Sequence, residues 1–168
     1  MTIAEFDHFD LEKKKELLKS CCGSERWVGK MLKKLPANDL VDLLEDADDA
    51  WDTCTYDDWR EALQQQPMID DTYSLNENYS SFADGTINKQ VALKNSHGRT
   101  TFEALAEGNK EYHEKFGYNF TVFTGDETGQ ELLQWLQQRL LNKPEDEIKI
   151  AAAEQIRITK DSLKKLFA

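Results

Sequence analysis

Helix-start signals recur along this chain and constrain its fold more than any other feature of the sequence. The spacing Thr-x-x-Glu, in which two side chains satisfy each other's free backbone N–H groups, begins at Thr100 and Thr128, and the similar Thr-x-x-Asp begins at Thr55. Ser24 can cap another helix, and Pro144 suits the first turn of the last one. Apolar residues at helical spacing follow each start. The chain is therefore predicted to be all-α.

The helical spacing also predicts where the helices run. Two short helices are expected near residues 75–82 and 87–93, in the less periodic stretch that follows Pro67. The longer helices are expected over residues 11–21, 24–35, 40–51, 55–63, 100–116, 128–140 and 144–166. At 168 residues the chain has the length of one domain. We expect a single compact all-α domain of about eight helices over residues 1–168.

The sequence also predicts two helix ends, one buried position and one extended run. We expect Gly23 and Gly117 to end helices in the left-handed conformation that glycine adopts best. The apolar stripe of the helix over 40–51 includes Val41, which is predicted to be buried with its neighbours. Phe120-Thr-Val-Phe123 is expected to be a short extended run, too isolated to build a sheet.

Charge and composition exclude several classes of function. The chain has 21 Lys and Arg against 32 Asp and Glu, a net charge of −11, which repels nucleic-acid phosphates. No apolar run approaches the roughly 18 residues of a membrane span, and the N-terminus lacks the apolar core of a signal peptide. The cysteines, Cys21, Cys22 and Cys54, are predicted to be thiols in a reducing cytosol. We expect a cytoplasmic protein with neither nucleic-acid nor membrane partners.

Metal binding is not expected. In the acidic run over residues 39–58, a calcium loop begun at Asp46 would need glycine where the chain has Trp51 and glutamate where it has Asp57. No two histidines have the i, i+4 spacing of a helical metal site. His97 lies in the loop-like string Asn95-Ser-His-Gly-Arg99, where a general base could be exposed.

Several longer strings follow each other in order along the chain. They are Cys22-Gly-Ser-Glu-Arg-Trp27, Asp58-Trp59, Gln66-Pro-Met-Ile69, Asn109-x-x-Tyr112-x-x-Lys115-Phe-Gly117-x-x-Phe120, Arg139-Leu-x-Asn142-x-Pro144-x-x-Glu147 and Glu154-Gln-x-x-Ile158. Together they resemble the 2-oxo-4-hydroxy-4-carboxy-5-ureidoimidazoline (OHCU) decarboxylase family, which acts in the conversion of urate to allantoin. The resemblance covers about residues 6–167 and implies an all-α fold, a homodimer and a cofactor-free carbon–carbon lyase.

At three positions the chain departs from the family's catalytic pattern. The family string His-Pro-x-Ile-Gly places its catalytic histidine where this chain has Gln66. The family string Ser-x-x-Glu-Gln corresponds to Thr86-Ile-Asn-Lys89-Gln90, so lysine replaces the catalytic glutamate. The substrate-holding arginine near the C-terminus corresponds to Ser162. Because glutamine accepts no proton near neutral pH, these replacements predict loss of the family activity.

The resemblance nevertheless implies a ligand cleft. A cation, an amide and backbone groups would suit a small anionic or ureide-like ligand, with the run from Phe120 to Phe123 as the opposite wall. The residues expected to line the cleft are Gln66, Pro67, Thr86, Lys89, Gln90, Phe120, Thr121, Val122 and Phe123.

Two classes of function stay open at this point. The chain could be an enzyme of urate and ureide catabolism in which Lys89 binds the substrate electrostatically and His97 replaces the missing base. Alternatively, it is a non-catalytic protein that binds a small ligand or a partner protein through the inherited cleft. Each replacement also has a purely structural interpretation: Gln66 as a helix-end residue, with Lys89 and Ser162 as surface residues.

Overall fold

A computed structural model describes residues 1–66, 101–125 and 127–168, except the side chain of Phe102. Within these residues the chain forms eight α-helices and no β-strand, which confirms the all-α prediction. The two short helices expected between residues 75 and 93 lie outside the described part. The helices are α1 (Ile3–Asp7), α2 (Leu11–Cys21), α3 (Glu25–Lys34), α4 (Leu40–Asp52), α5 (Tyr56–Gln64), α6 (Thr101–Phe116), α7 (Gly129–Arg139) and α8 (Pro144–Leu166).

Local capping explains where the helices begin. The reciprocal caps predicted at Thr55 and Thr128 are both present, at the starts of α5 and α7. Ser24 accepts a hydrogen bond from the backbone N–H of Trp27 and begins α3, as predicted. The sequence prediction missed α1, although Thr2-x-x-Glu5 forms the same reciprocal cap. Thr100, the expected cap of α6, lies outside the described residues.

The described residues cluster into two compact units, and the first comprises residues 1–65 and 148–168. In this unit α2, α4 and α5 pack against α3. The indole N–H of Trp27 donates to the carbonyl of Ala47 at 3.1 Å, and that of Trp51 donates to Ala152 at 3.0 Å. Burial of both rings with satisfied N–H groups gives the unit a well-defined apolar core.

The second unit comprises residues 66–147, and in it α6 packs against α7. Its core contains the aromatic residues Tyr112, Phe116, Tyr118 and Phe120, whose neighbouring rings lie between 4.6 and 6.2 Å apart. α6 ends as predicted, because Gly117 follows it with a φ of 81°. The expectation that residues 1–168 form a single domain stays a prediction.

Two details of the sequence scheme are wrong. Gly117 is the one glycine with positive φ in the described part of the chain, so Gly23 does not end α2 in the left-handed conformation. Instead, a Cβ atom at position 23 would lie 2.4 Å from Cγ of Gln65, so the close approach of this side chain requires glycine. Val41 is 64% exposed rather than buried, since it falls at the edge of the apolar stripe of α4.

Candidate functional site

The run from Phe120 to Phe123 follows α6 and belongs to no helix or strand, in agreement with the sequence prediction. Phe120 and Thr121 are buried, whereas Val122 and Phe123 are half-buried. The Thr121 hydroxyl donates to the carbonyl of Asn119 at 3.0 Å. The first half of the run is therefore fixed in the interior of the second unit, and the second half is accessible to a ligand.

Arg139, the last residue of α7, fixes this run. Its Nη1 donates to the carbonyl oxygen of Thr121 at 2.5 Å, and its guanidinium lies 4.8 Å from the centre of the Phe120 ring. A guanidinium combines a directional hydrogen bond with stacking on an aromatic face, which lysine cannot do. The position of the run thus depends on one arginine.

Glu147 in turn holds Arg139. Its side chain is fully buried, and Oε1 accepts hydrogen bonds from Arg139 Nε at 2.6 Å and from the Tyr112 hydroxyl at 2.5 Å. Oε2 accepts from the Asn142 amide at 2.8 Å. These four residues, Tyr112, Arg139, Asn142 and Glu147, are called the anchor cluster below. Because each of them contributes a hydrogen bond to the buried ion pair, the cluster can hold the Phe120–Phe123 run rigidly.

The hydroxyl of Tyr112 stays protonated within the anchor cluster. Burial, the largest cause, raises its pKa far above the ordinary value, although the charge of Arg139 acts in the opposite direction. A protonated hydroxyl can donate to Glu147, as observed. Tyr112 therefore contributes to the anchor cluster as a hydrogen-bond donor.

A second set of hydrogen bonds joins the same region to Gln66. The amide nitrogen of Asn119 donates to the backbone carbonyl of Gln66 at 2.5 Å. The amide oxygen of Asn119 lies 2.9 Å from Nδ1 of His113, on α6. Asn119 itself is 9% exposed. The structure thus brings Gln66, the predicted counterpart of the family's catalytic histidine, into contact with the residue that precedes Phe120.

The remaining predicted site residues lie in the first unit or outside the described part of the chain. Ser162 lies half-buried on α8, in the first unit. The other predicted positions, Pro67, Thr86, Lys89, Gln90 and His97, lie outside the described residues, so their roles stay predictions. Within the described ranges, no three His, Cys, Asp or Glu side chains are grouped so that they could hold a metal ion.

The four anchor-cluster residues contribute to the resemblance to the OHCU decarboxylase family, but the sequence predicted no function for them. Tyr112 occurs in one of the strings, and Arg139, Asn142 and Glu147 occur in another. No signal in the sequence could pair them, because spacing along the chain does not show which distant residues pack together. Asn119 gave no signal either, since it occupies a position that its string leaves unspecified.

A comparison with protein-family models decides the family. The model described as OHCU decarboxylase matches residues 7–164, which is nearly the whole chain. The chain belongs to the OHCU decarboxylase family. The resemblance inferred from the short strings is thereby confirmed, and with it the connection to proteins of urate degradation.

Two known proteins are similar to this family member in sequence over most of its length. It is 33% identical over 150 residues to the uric acid degradation bifunctional protein TTL of Arabidopsis thaliana, covering 89% of this chain and 46% of that protein. The chain thus spans about half the length of this curated relative. A crystal structure of OHCU decarboxylase in the presence of (S)-allantoin is 31% identical, with a TM-score of 0.71, and covers 91% of this chain and 97% of that one.

A more distant solved structure is similar in fold alone. The crystal structure of (S)-allantoin synthase superimposes with a TM-score of 0.67 at 14% identity, covering 98% of this chain and 54% of that one.

In the described residues of this OHCU decarboxylase family member, no helix has both the length and the apolar character that crossing a membrane demands.

Proposed function

We propose that this chain uses the OHCU decarboxylase fold to bind a small anionic or ureide-like ligand without decarboxylating it. The observation that carries the proposal is the 2.5 Å hydrogen bond from Asn119 to the carbonyl of Gln66. It joins Gln66, which we take to stand at the position of the family's catalytic histidine, to the residue before the Phe120–Phe123 run, whose Thr121 carbonyl Arg139 binds. We take this run to be one wall of a cleft beside a position that lacks the family's base.

The loss of activity follows from the chemistry of the substrate. Release of carbon dioxide from a carbon that bears a hydroxyl and a carboxylate requires a group that takes up and returns a proton. Gln66 offers only a neutral amide, and loss of a general base alone costs about 10² to 10⁴ in rate. Lys89 and Ser162 at the other two catalytic positions remove the carboxylate and the cation of the family site.

The same residues suit binding. The amide of Gln66 can both donate to a ureide carbonyl and accept from a ureide N–H group, and Lys89 supplies a positive charge for an anion. A similar protein has been crystallised in the presence of (S)-allantoin, which is a ureide. We therefore expect (S)-allantoin, which is a neutral ureide, or a related ureide that carries a carboxylate to bind.

The catalytic half of the proposal is tested with freshly generated OHCU, whose decay is followed by its circular dichroism. We expect the decay to match the spontaneous rate, while a histidine-bearing family member accelerates it. The triple variant Gln66→His, Lys89→Glu, Ser162→Arg is expected to gain activity, because it restores the family's residue types. An accelerated decay with the wild-type chain would contradict the proposal.

The binding half is tested by calorimetry and thermal shift with (S)-allantoin. Lys89→Ala is expected to weaken binding by about tenfold or more, the usual scale of a lost charge-assisted hydrogen bond. Lys110→Ala, which removes an exposed lysine of α6, is the charge-matched control and should bind like the wild type. If Lys89→Ala binds (S)-allantoin as tightly as Lys110→Ala does, Lys89 is not part of the binding site.

One observation favours a retained decarboxylase as the second candidate. The chain is 31% identical to a solved OHCU decarboxylase over 91% of its length. In that case His97 would act as the substitute base, and His97→Ala would abolish the accelerated decay of OHCU. Partner-protein binding through the cleft is a further form of the non-catalytic proposal.

Two properties implied by the resemblance also belong to this proposal. The chain is expected to be a homodimer, which light scattering coupled to size-exclusion chromatography would measure directly. It is also expected to be cytoplasmic, which cell fractionation would test.

A further inference from the structure

We propose that Asn119 is a positioning residue that fixes the backbone at residue 66, where OHCU decarboxylases carry their catalytic histidine. The inference rests on the proposed function in one respect, since it takes residue 66 to be part of the ligand site. It goes beyond that function because Asn119 stands at a position that the surrounding family string leaves unspecified. Two hydrogen bonds of the Asn119 side chain support it.

The orientation of the Asn119 amide is set by its partners. The carbonyl oxygen of Gln66 can only accept, so the group that faces it at 2.5 Å must be the NH₂ of Asn119. The amide oxygen is then directed to His113, and the imidazole Nδ1, 2.9 Å away, must carry the proton. Both the neutral Nδ1–H tautomer and the imidazolium can donate there.

Asn119 is also fixed by burial and by its own backbone. Only 9% of the residue is exposed, and its carbonyl accepts the hydroxyl of Thr121 at 3.0 Å. A buried amide that loses a partner has no water to replace it, so the arrangement is costly to break. Asn119 thus ties residue 66 to a segment that cannot move freely.

Gln66 has little conformational freedom of its own. The sequence continues with Pro67, and a residue before proline is restricted to extended backbone conformations. With its carbonyl held by Asn119 as well, residue 66 has a fixed point from which its side chain projects. Such a restraint matters in a ligand site, because misplacement by about 1 Å can cost two orders of magnitude in catalysis.

The sharpest test is Asn119→Asp in the full chain. Aspartate is nearly the same size and still accepts from His113, but it presents an oxygen to the carbonyl of Gln66 instead of a donor. The carbonyl carbon of Gln66 is observable through the nitrogen of Pro67 in carbon-detected NMR spectra. We expect its resonance to shift in Asn119→Asp and to stay in place in Gln137→Glu, which adds the same charge at an exposed position of α7.

The functional readout is binding of (S)-allantoin. We expect Asn119→Asp to weaken it by about tenfold, and Gln137→Glu to leave it unchanged. Should Asn119→Asp fail to fold, His113→Ala removes the other end of the chain of bonds at an exposed residue and is expected to shift the same Gln66 resonance.

The outcomes separate this inference from the proposed function. An unmoved Gln66 carbonyl resonance would overturn the assignment of Asn119, and a shifted resonance with unchanged binding would overturn its role in the site. If the wild-type chain binds no (S)-allantoin, the proposed function fails for this ligand. The carbonyl resonance then still decides whether Asn119 fixes residue 66.

Discussion

Arg139 and Glu147 form a buried ion pair, with 2.5 Å between Nη2 of the arginine and Oε1 of the glutamate. The arginine side chain is 10% exposed and the glutamate side chain 0%. Because Arg139 also donates to the carbonyl of Thr121, this pair connects the interior of the second unit to the predicted cleft wall. Its integrity therefore bears on both stability and ligand binding.

Removing one member of this pair should be strongly destabilising. Glu147→Gln leaves the guanidinium of Arg139 buried without a counter-charge, so we expect a loss of about 3 kcal/mol or more in the free energy of unfolding. Urea denaturation monitored by tryptophan fluorescence measures it. Glu16→Gln removes an exposed ion pair with Lys13 and should cost less than about 1 kcal/mol.

A double-mutant cycle measures the interaction energy between Arg139 and Glu147. Arg139→Met with Glu147→Met removes both charges, so the double variant should lose less stability than the sum of the two single variants. Additive losses would mean that the two charges do not stabilise each other in the folded chain.

Replacing Gly23 and Gly29 of the first unit by alanine should change the stability of the chain in opposite directions. A Cβ at position 23 would lie 2.4 Å and 2.7 Å from Cγ and Cβ of Gln65, so Gly23→Ala is expected to cost about 1 to 3 kcal/mol. At Gly29, inside α3, nothing lies within 4 Å of an added Cβ, and Gly29→Ala should stabilise by about 0.5 to 1 kcal/mol. Thermal unfolding of both variants compares them directly, and a similar shift for both would contradict the close approach of Gln65.

The free energy of unfolding should fall at acidic pH, because the carboxylates that cap helices become protonated. Hydrogen bonds from the backbone N–H and then the hydroxyl of Thr128 hold the pKa of Glu131 below its ordinary value of 4.5. The unfolded chain therefore takes up a proton more readily, so the stabilisation is present above pH 4.5 and is lost as pH falls through the lower, folded-state pKa. Glu5, capped by Thr2, acts in the same direction.

The cap contribution is measured by comparing urea unfolding at about pH 6 and about pH 3. Glu131→Gln keeps an oxygen for the Thr128 N–H but does not ionise, so its stability should change less with pH than that of the wild type. Glu111→Gln, at an exposed position of α6, should retain the wild-type pH dependence. An unchanged pH dependence in Glu131→Gln would exclude this cap as a contributor.

The three cysteines should be unreactive in the folded protein. Burial raises the pKa of the Cys22 thiol to about 12 and that of Cys54 to about 11, and it also raises the pKa of Cys21. Thiolate, the reactive form, is therefore scarce at pH 8. We expect Ellman's reagent to label no thiol rapidly in the native chain and three in urea, while Ser20→Cys adds one rapidly reacting thiol at an exposed position.

The starts of most helices follow from local sequence patterns. The caps at Thr55 and Thr128 and the left-handed conformation of Gly117 depend on residues within about four positions of each other. Such patterns can be identified without knowledge of the fold. The same holds for the short strings by which the chain resembles the OHCU decarboxylase family.

Which distant residues act together depends on the packing of the helices. Tyr112 and Glu147 are 35 residues apart and share a hydrogen bond, and Asn119 meets a carbonyl 53 positions earlier in the chain. Gly23 also has its role from Gln65 rather than from the end of its own helix. Such contacts depend on how helices pack, and spacing along the chain does not encode packing. This is why the anchor cluster and Asn119 emerged as a site only in three dimensions.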